Sequence, residues 1–231
     1  MVVSGRDNDF KRSQSPVCAL AYAAITIRRA TNFMGMIMND NCASMRRVKN
    51  YNLFVISGGP GSGKTTVLRE LETFGFRCAP EVARQIIQEQ VEVGGTALPW
   101  KDREAYTYAM LQRSIDSFVE HTPSVQPMFS DRGIPDTLCY ARLIGLRDVH
   151  AIEGACRRYR YASVVLLAPP WREIYETDSE RKQDFDEAER TFVQMTEVYR
   201  DCGYELLELP KVAPATRAGF IVERLGLAGG V

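Results

Sequence analysis

Between residues 52 and 57 the stretch NLFVIS is apolar almost throughout, the pattern of a strand covered on both faces of a sheet. Past a polar, glycine-rich interruption, Val67, Leu71 and Phe74 recur at i, i+4 and i+7, one face of a helix that Gly75 is placed to end. The same alternation continues down the chain. FRCAPE (76–81), QPMFSDR (126–132), ASVVLLAPP (162–170) and YELLELP (204–210) read as further strands. VARQIIQEQVEV, residues 102–119, 136–144, 148–158 and 183–201 read as helices between them. Within the longest, Tyr108, Leu111, Ile115 and Phe118 share one face; in the last, Phe185, Ala188, Phe192, Met195 and Tyr199 do. Pro214 fits the first turn of a closing helix that carries Phe220, Ile221 and Leu225. Strands that alternate with helices predict an α/β fold: a parallel five-stranded sheet with helices on both faces.

In such a sheet ligands sit beyond the carboxyl ends of the strands, so the polar residues that follow each strand are the candidates for chemistry. After the first strand comes GGPGSGKTT, residues Gly58, Gly59, Pro60, Gly61, Ser62, Gly63, Lys64, Thr65 and Thr66. It contains Gly-x-x-x-x-Gly-Lys-Thr in its required setting of strand, loop and helix, which predicts a P-loop NTPase. The glycines let backbone N–H groups face phosphate, and the helix that begins there aims its positive dipole end at the same anion. Lys64 is placed to reach the β- and γ-phosphates and the Thr65 hydroxyl to ligate Mg²⁺, so ATP and Mg²⁺ are the expected cofactors.

Three further positions follow strands. Asp131, ending the third, can hold Mg²⁺ as a Walker-B acid does, or cap the next helix, since SDRGIPD is also turn chemistry. Arg132 can contact a transferred phosphoryl group or form a salt bridge. Glu81, at the end of the second strand, can accept a proton from a substrate hydroxyl or serve only as a first-turn acid, with Arg84 one turn on. Between the fourth strand and the long helix, PPWREIYETDSERKQDFDEAER carries Arg172, Arg181, Lys182 and Arg190. A mobile lid around 171–190 that brings positive charge over the γ-phosphate is the functional expectation; a solvated charged segment is the plain one. An acceptor pocket is expected under VGGTALPW and the helix after it, with Trp100, Tyr106 and Arg113 as possible contacts to a base or ring.

Composition narrows the classes. The chain has 231 residues, with 29 basic and 29 acidic side chains, so no net charge argues for a nucleic-acid partner. No apolar run approaches the roughly 20 residues of a transmembrane segment. The six cysteines form no Cys-x-x-Cys pair and the two histidines lie apart, which argues against zinc and for thiols in a reducing, cytoplasmic setting. Residues 1–48 lack a clean period and are expected to be an N-terminal extension, disordered or preceding the natural start, with Met34, Met36 or Met45 as alternatives. VCALAYAAITI within them resembles a signal-peptide core, but Arg28 and Arg29 stand where a cleavage site would be needed. The nucleotide-binding domain is expected over 49–229.

ISGGPGSGKTTVLREL, APEVAR, FSDRGIPDTLCYARLIG, VVLLAPPWREIYETDSERKQDFDEAERTFVQMTEVYRDCGYELLELP and RAGFIVERL together resemble the AAA-type predicted ATPases related to the kinase domain of NadR, the ribosylnicotinamide kinase. The resemblance covers about residues 50–227. It implies a kinase-like P-loop fold with the first strand central, and ATP with Mg²⁺ at Gly58–Thr66. More distantly the chain is similar to deoxynucleoside kinases, in which a Glu after strand two acts as base and an acidic-Arg pair follows strand three; Glu81, Asp131 and Arg132 occupy those places. Gly133 departs from that pattern, where a serine is frequent. The function so implied is a phosphotransferase acting on a small nucleoside-like or other hydroxyl acceptor, of unknown oligomeric state. The alternative is an NTP-hydrolysing switch with a protein or lipid partner. Against a GTPase, no Asn-Lys-x-Asp motif is present; against a mechanical ATPase, Asp131 is followed by Arg rather than Glu.

Overall fold

The computed structural model describes residues 47–175 and 185–227. Five parallel strands form the main sheet: β2 (Leu53–Ser57), β3 (Arg77–Ala79), β4 (Met128–Asp131), β6 (Val164–Leu167) and β7 (Glu205–Glu208). Their order is β3-β4-β2-β6-β7, with β2 in the centre. Its ladder pairs Ile56 with Asp131 on one side and with Leu166 on the other. The helices are α1 (Lys64–Thr73), α2 (Val82–Glu92), α3 (Arg103–His121), α4 (Ile134–Leu143), α5 (His150–Arg158), α6 (Phe185–Asp201) and α7 (Pro214–Arg224).

Side-chain alternation along β2 divides the core in two. Leu53 and Val55 pack with Leu111, Ile115, Ile134, Val198 and Tyr199 of the helices α3, α4 and α6. Ile56 faces the other way and packs with Val67 and Leu71 of α1 and Ala218 and Ile221 of α7. Both faces are therefore covered, which is why β2 and β6 read as unbroken apolar runs. A smaller cluster of Ile86, Tyr106 and Met110 ties α2 to α3.

One element escapes the sequence pattern. Two-residue strands β1 (Val48–Lys49) and β5 (Tyr159–Arg160) pair in parallel as a separate sheet. Asn50 extends that contact, its backbone N–H donating to Arg160 O at 2.8 Å and its amide to His121 O at 3.0 Å. Such short strands carry no readable period. Val48, the last residue of the expected extension, thus packs on the domain; residues 1–46 lie outside the described residues. No helix among the described residues is long and apolar enough to cross a membrane.

Candidate active site

The loop after β2 closes on itself. Gly58 has φ 149°, and a Cβ there would lie 2.4 Å from the carbonyl oxygen of Ala168, so only glycine fits between the two central strands. The Lys64 ammonium is buried and donates to the carbonyls of Gly58 and Gly59 at 2.9 and 2.8 Å. Ser62 Oγ donates to Gly59 O at 2.8 Å. Together these bonds hold the loop as a ring around the N-terminus of α1, where Lys64, Thr65 and Thr66 form the first turn. Gly61 (φ 69°) lies under the ring of Tyr175, 2.7 Å from where its Cβ would be.

From the far side Arg217 of α7, 1% exposed, donates from Nη1 to Ser62 O at 2.9 Å. Burial lowers its pKa below the ordinary arginine value. Its guanidinium lies 5.9 Å from the Trp171 ring.

Beside the loop, β4 delivers Asp131 and Arg132. Arg132 adopts φ 72°, a left-handed conformation that costs a non-glycine residue about 1 kcal/mol. From there its Nε donates to Glu81 Oε1 at 2.8 Å, and its Nη1 to Gly58 O at 3.1 Å and Asp136 Oδ1 at 3.3 Å. Burial works against its charge, but the carboxylates of Glu81, Asp136 and Asp131 more than offset this and raise its pKa. Arg132 thus forms ion pairs with Glu81 and Asp136 and joins the end of β3 to the phosphate loop.

Asp136 is the residue that sequence reasoning missed. Its Oδ1 accepts from Ser57 Oγ at 2.6 Å as well as from Arg132; its Oδ2 accepts from Gly133 N–H at 2.8 Å and from the Tyr199 hydroxyl at 2.5 Å. This carboxylate, buried at the start of α4, links the base of the phosphate loop, the Arg132–Glu81 pair and α6. It is also what caps α4, leaving Asp131 free of the capping alternative. A Cβ at Gly133 would sit 3.1–3.2 Å from side-chain atoms of Val55 and Tyr161, a tight fit in which those neighbours would have to give.

Asp131 is 5% exposed, and among the described residues nothing donates a hydrogen bond to its Oδ1. Burial raises its pKa; Lys64 pulls the other way and Glu81 pushes it further up. A buried carboxylate oxygen with no donor among the described residues, lining the same cleft as Thr65, offers with that hydroxyl an all-oxygen donor set suited to Mg²⁺, which takes one or two carboxylates and completes its shell from water and phosphate.

Thr65, Asp131 and Glu81 all border one cleft of about 340 Å³, bounded by α1, β3 and the start of α2. Arg84, Gln85 and Gln88 of α2 and Arg69 of α1 also line it. The aromatic contacts expected under VGGTALPW are placed elsewhere. Trp100 is 57% exposed, Tyr106 is buried against Tyr140, and Arg113 forms a bidentate pair with Glu89 at 2.7–3.0 Å. None of the three borders the cleft. Of the lid residues, Arg172 stacks on Phe185 at 4.2 Å, and Tyr175 meets the same ring at 5.5 Å. Arg181 and Lys182 lie outside the described residues, and Arg190 is exposed on α6.

Comparison with known proteins agrees with this geometry. A family model described as "AAA domain" matches residues 53–217. No curated protein matches the chain. Among solved structures, NadR protein in complex with NR superimposes with a TM-score of 0.59 at 18% identity, covering 82% of this chain and 53% of that one. The chain therefore spans about half the length of that relative. Thymidylate kinase from Ehrlichia chaffeensis gives 0.51 at 14% identity, covering 77% of this chain and 100% of that one. Shikimate kinase from Acinetobacter baumannii gives 0.48 at 19%, with 76% and 93% covered. The chain belongs to this AAA-domain family and has the P-loop kinase-like fold.

Proposed function

We propose that this protein is a phosphotransferase that moves the γ-phosphoryl group of ATP onto a hydroxyl of a small acceptor seated in the cleft beside its phosphate loop. The observation that carries this reading is the convergence of Thr65, Asp131 and Glu81 on one cleft. A protein that only hydrolysed or sensed nucleotide would need no acceptor-sized cavity with a carboxylate at its wall.

Each residue then has a task. The backbone N–H groups of Gly61–Thr66 and the N-terminus of α1 cradle the phosphates. Lys64, already aimed along the loop, neutralises charge on the moving phosphoryl group. Thr65 and Asp131 would hold Mg²⁺, which supplies positive charge to the phosphate oxygens when bound. Glu81 accepts the acceptor's hydroxyl proton as the new O–P bond forms, the bond to the β-phosphate oxygen breaks and ADP departs. Arg132 holds the Glu81 carboxylate at the cleft wall through Oε1. Ile174 and Tyr175 border the loop at Gly63 and Gly61, where they can exclude water. Such chemistry belongs where ATP is plentiful, in keeping with a cytoplasmic setting.

The fate of the γ-phosphate tests this. With labelled Mg-ATP and a pool of small metabolites, label should appear on an acceptor and disappear with Lys64→Ala. Release of inorganic phosphate alone, indifferent to the pool, would overturn phosphotransfer in favour of an NTP-driven switch.

A further inference from the structure

Arg132 and Arg217 each donate to a carbonyl of the phosphate loop, but their surroundings differ. Arg132 is met by the carboxylates of Glu81 and Asp136, which raise its pKa despite burial. Arg217 is 1% exposed, and burial lowers its pKa. Its Nη1 donates to Ser62 O at 2.9 Å; its Nε and Nη2 are buried and have no hydrogen-bond partner among the described residues. The Trp171 ring, 5.9 Å from the guanidinium, stands at the outer limit of a cation–π contact.

The position of this cation adds to its cost. Arg217 lies in the first turn of α7, and its Nη1 would be 3.1 Å from a Cβ at Gly63, the N-cap of α1. The guanidinium therefore meets the positive dipole ends of two helices, neither of which has an acidic residue in its first turn. A buried cation there weakens the folded protein until an anion arrives. The bond to Ser62 says where that anion goes. All the peptide bonds are trans, so the C=O and N–H of one peptide unit point in opposite directions. A Ser62 carbonyl held by Arg217 thus turns the Gly63 N–H away from the arginine, at the junction of loop and helix where anions bind.

We propose that Arg217 is a positioning residue for the nucleotide: it fixes the Ser62–Gly63 peptide with its N–H toward the phosphates, and the phosphates supply the negative charge that balances this buried cation. It acts through the loop peptide and through its field, which a low-dielectric interior transmits over several ångströms. The proposal rests on the nucleotide-binding part of the reading above and not on transfer.

Calorimetry of Mg-ATP binding without an acceptor, paired with thermal midpoints of the unliganded proteins, tests this. Arg217→Met keeps a straight side chain in the core and removes the charge. Its unliganded midpoint should stay close to or above the parent's, because relief of the buried charge offsets the lost bond to Ser62. Its Kd for Mg-ATP should rise about tenfold or more. Arg217→Lys keeps the charge without the planar fork, and should bind Mg-ATP less tightly than the parent but more tightly than Arg217→Met. An Arg217→Met protein that melts well below the parent, or that binds Mg-ATP within about twofold of it, makes Arg217 a packing residue and overturns the proposal. An Arg217→Lys protein that binds no better than Arg217→Met overturns the part played by charge, and the proposal with it. A parent that does not bind Mg-ATP sinks this proposal and phosphotransfer together, whereas binding without transfer to any acceptor sinks phosphotransfer alone.

Discussion

The phosphate loop and the cleft beside it share Thr65 and face the same end of the sheet, yet they are built in opposite ways. The loop is nine consecutive residues whose working groups are mostly backbone N–H, presented by a turn that glycine permits and tied by Lys64 to carbonyls five and six residues back. The cleft is made of side chains from α1, β3, α2 and β4, and its proposed base is positioned by an arginine 51 residues away in sequence. A site built from backbone is fixed by local conformation and serves any substrate that carries the same phosphates. A site built from distant side chains depends on the whole fold and is where members of one fold can diverge.

Separating the two halves by mutation gives the largest effects. Lys64→Ala should abolish both transfer and hydrolysis, slowing turnover about 10³-fold, roughly 4 kcal/mol of transition-state stabilisation. Glu81→Gln should touch only the cleft: transfer falls about 10²-fold while Mg-ATP affinity, read by calorimetry, stays within about twofold. If Glu81→Gln weakened ATP binding as much as it slowed transfer, the division into two functional halves would fail. Arg132 is the path by which that could happen, because it bonds both Glu81 and the Gly58 carbonyl.

The same contrast explains what the sequence disclosed. The strands and most helices were legible within a few residues, since β2 and β6 are covered on both faces and α6 keeps its apolar face in step over 17 residues. The loop was legible because its geometry is local. The grouping of Glu81, Asp131 and Arg132 was visible from their positions after strands, and the structure brings all three together. Asp136 was not visible: its partners Ser57 and Tyr199 lie 79 and 63 residues away, and within SDRGIPD it looks like a turn acid. Trp100, Tyr106 and Arg113 misled for the converse reason. Large rings and an arginine near a chain break suggest a pocket, but packing placed one ring in solvent, one in the α2–α3 cluster, and the guanidinium on Glu89. Nothing in two-residue strands such as β1 and β5 marks them before folding.

Asp136 offers a test of how far the cleft depends on the rest of the fold. Tyr199→Phe keeps the ring in the core and removes one donor from a buried carboxylate. Hydrogen bonds to charged groups contribute about 1.5–3 kcal/mol, so the urea midpoint should fall by an amount equivalent to about 2 kcal/mol. Because Asp136 also holds Arg132, transfer should slow by more than Mg-ATP affinity weakens. A variant that lost stability but kept both kinetic constants would make Asp136 structural only.

The smallest effect concerns pH and lies where loop and cleft meet. Burial raises the Asp131 pKa above its unfolded value, so ionising this group disfavours the folded state. Below the ordinary carboxylate range Asp131 is protonated in both states and its contribution to stability is fully present. As pH rises through the raised native pKa that contribution is lost, a sign opposite to that of a salt-bridged aspartate. Asp131→Asn removes the titration while keeping the shape. Without magnesium and nucleotide, the variant should therefore gain stability over the parent as pH rises from the carboxylate range toward neutrality, against the cost of its own unpaired amide. Mg-ATP should reverse the order, since a cation at Asp131 favours its charged form: the parent gains thermal stability on adding Mg-ATP and the variant gains less. If the variant and parent kept the same difference in stability at every pH, with and without Mg-ATP, Asp131 would be neither an isolated buried acid nor the metal's carboxylate.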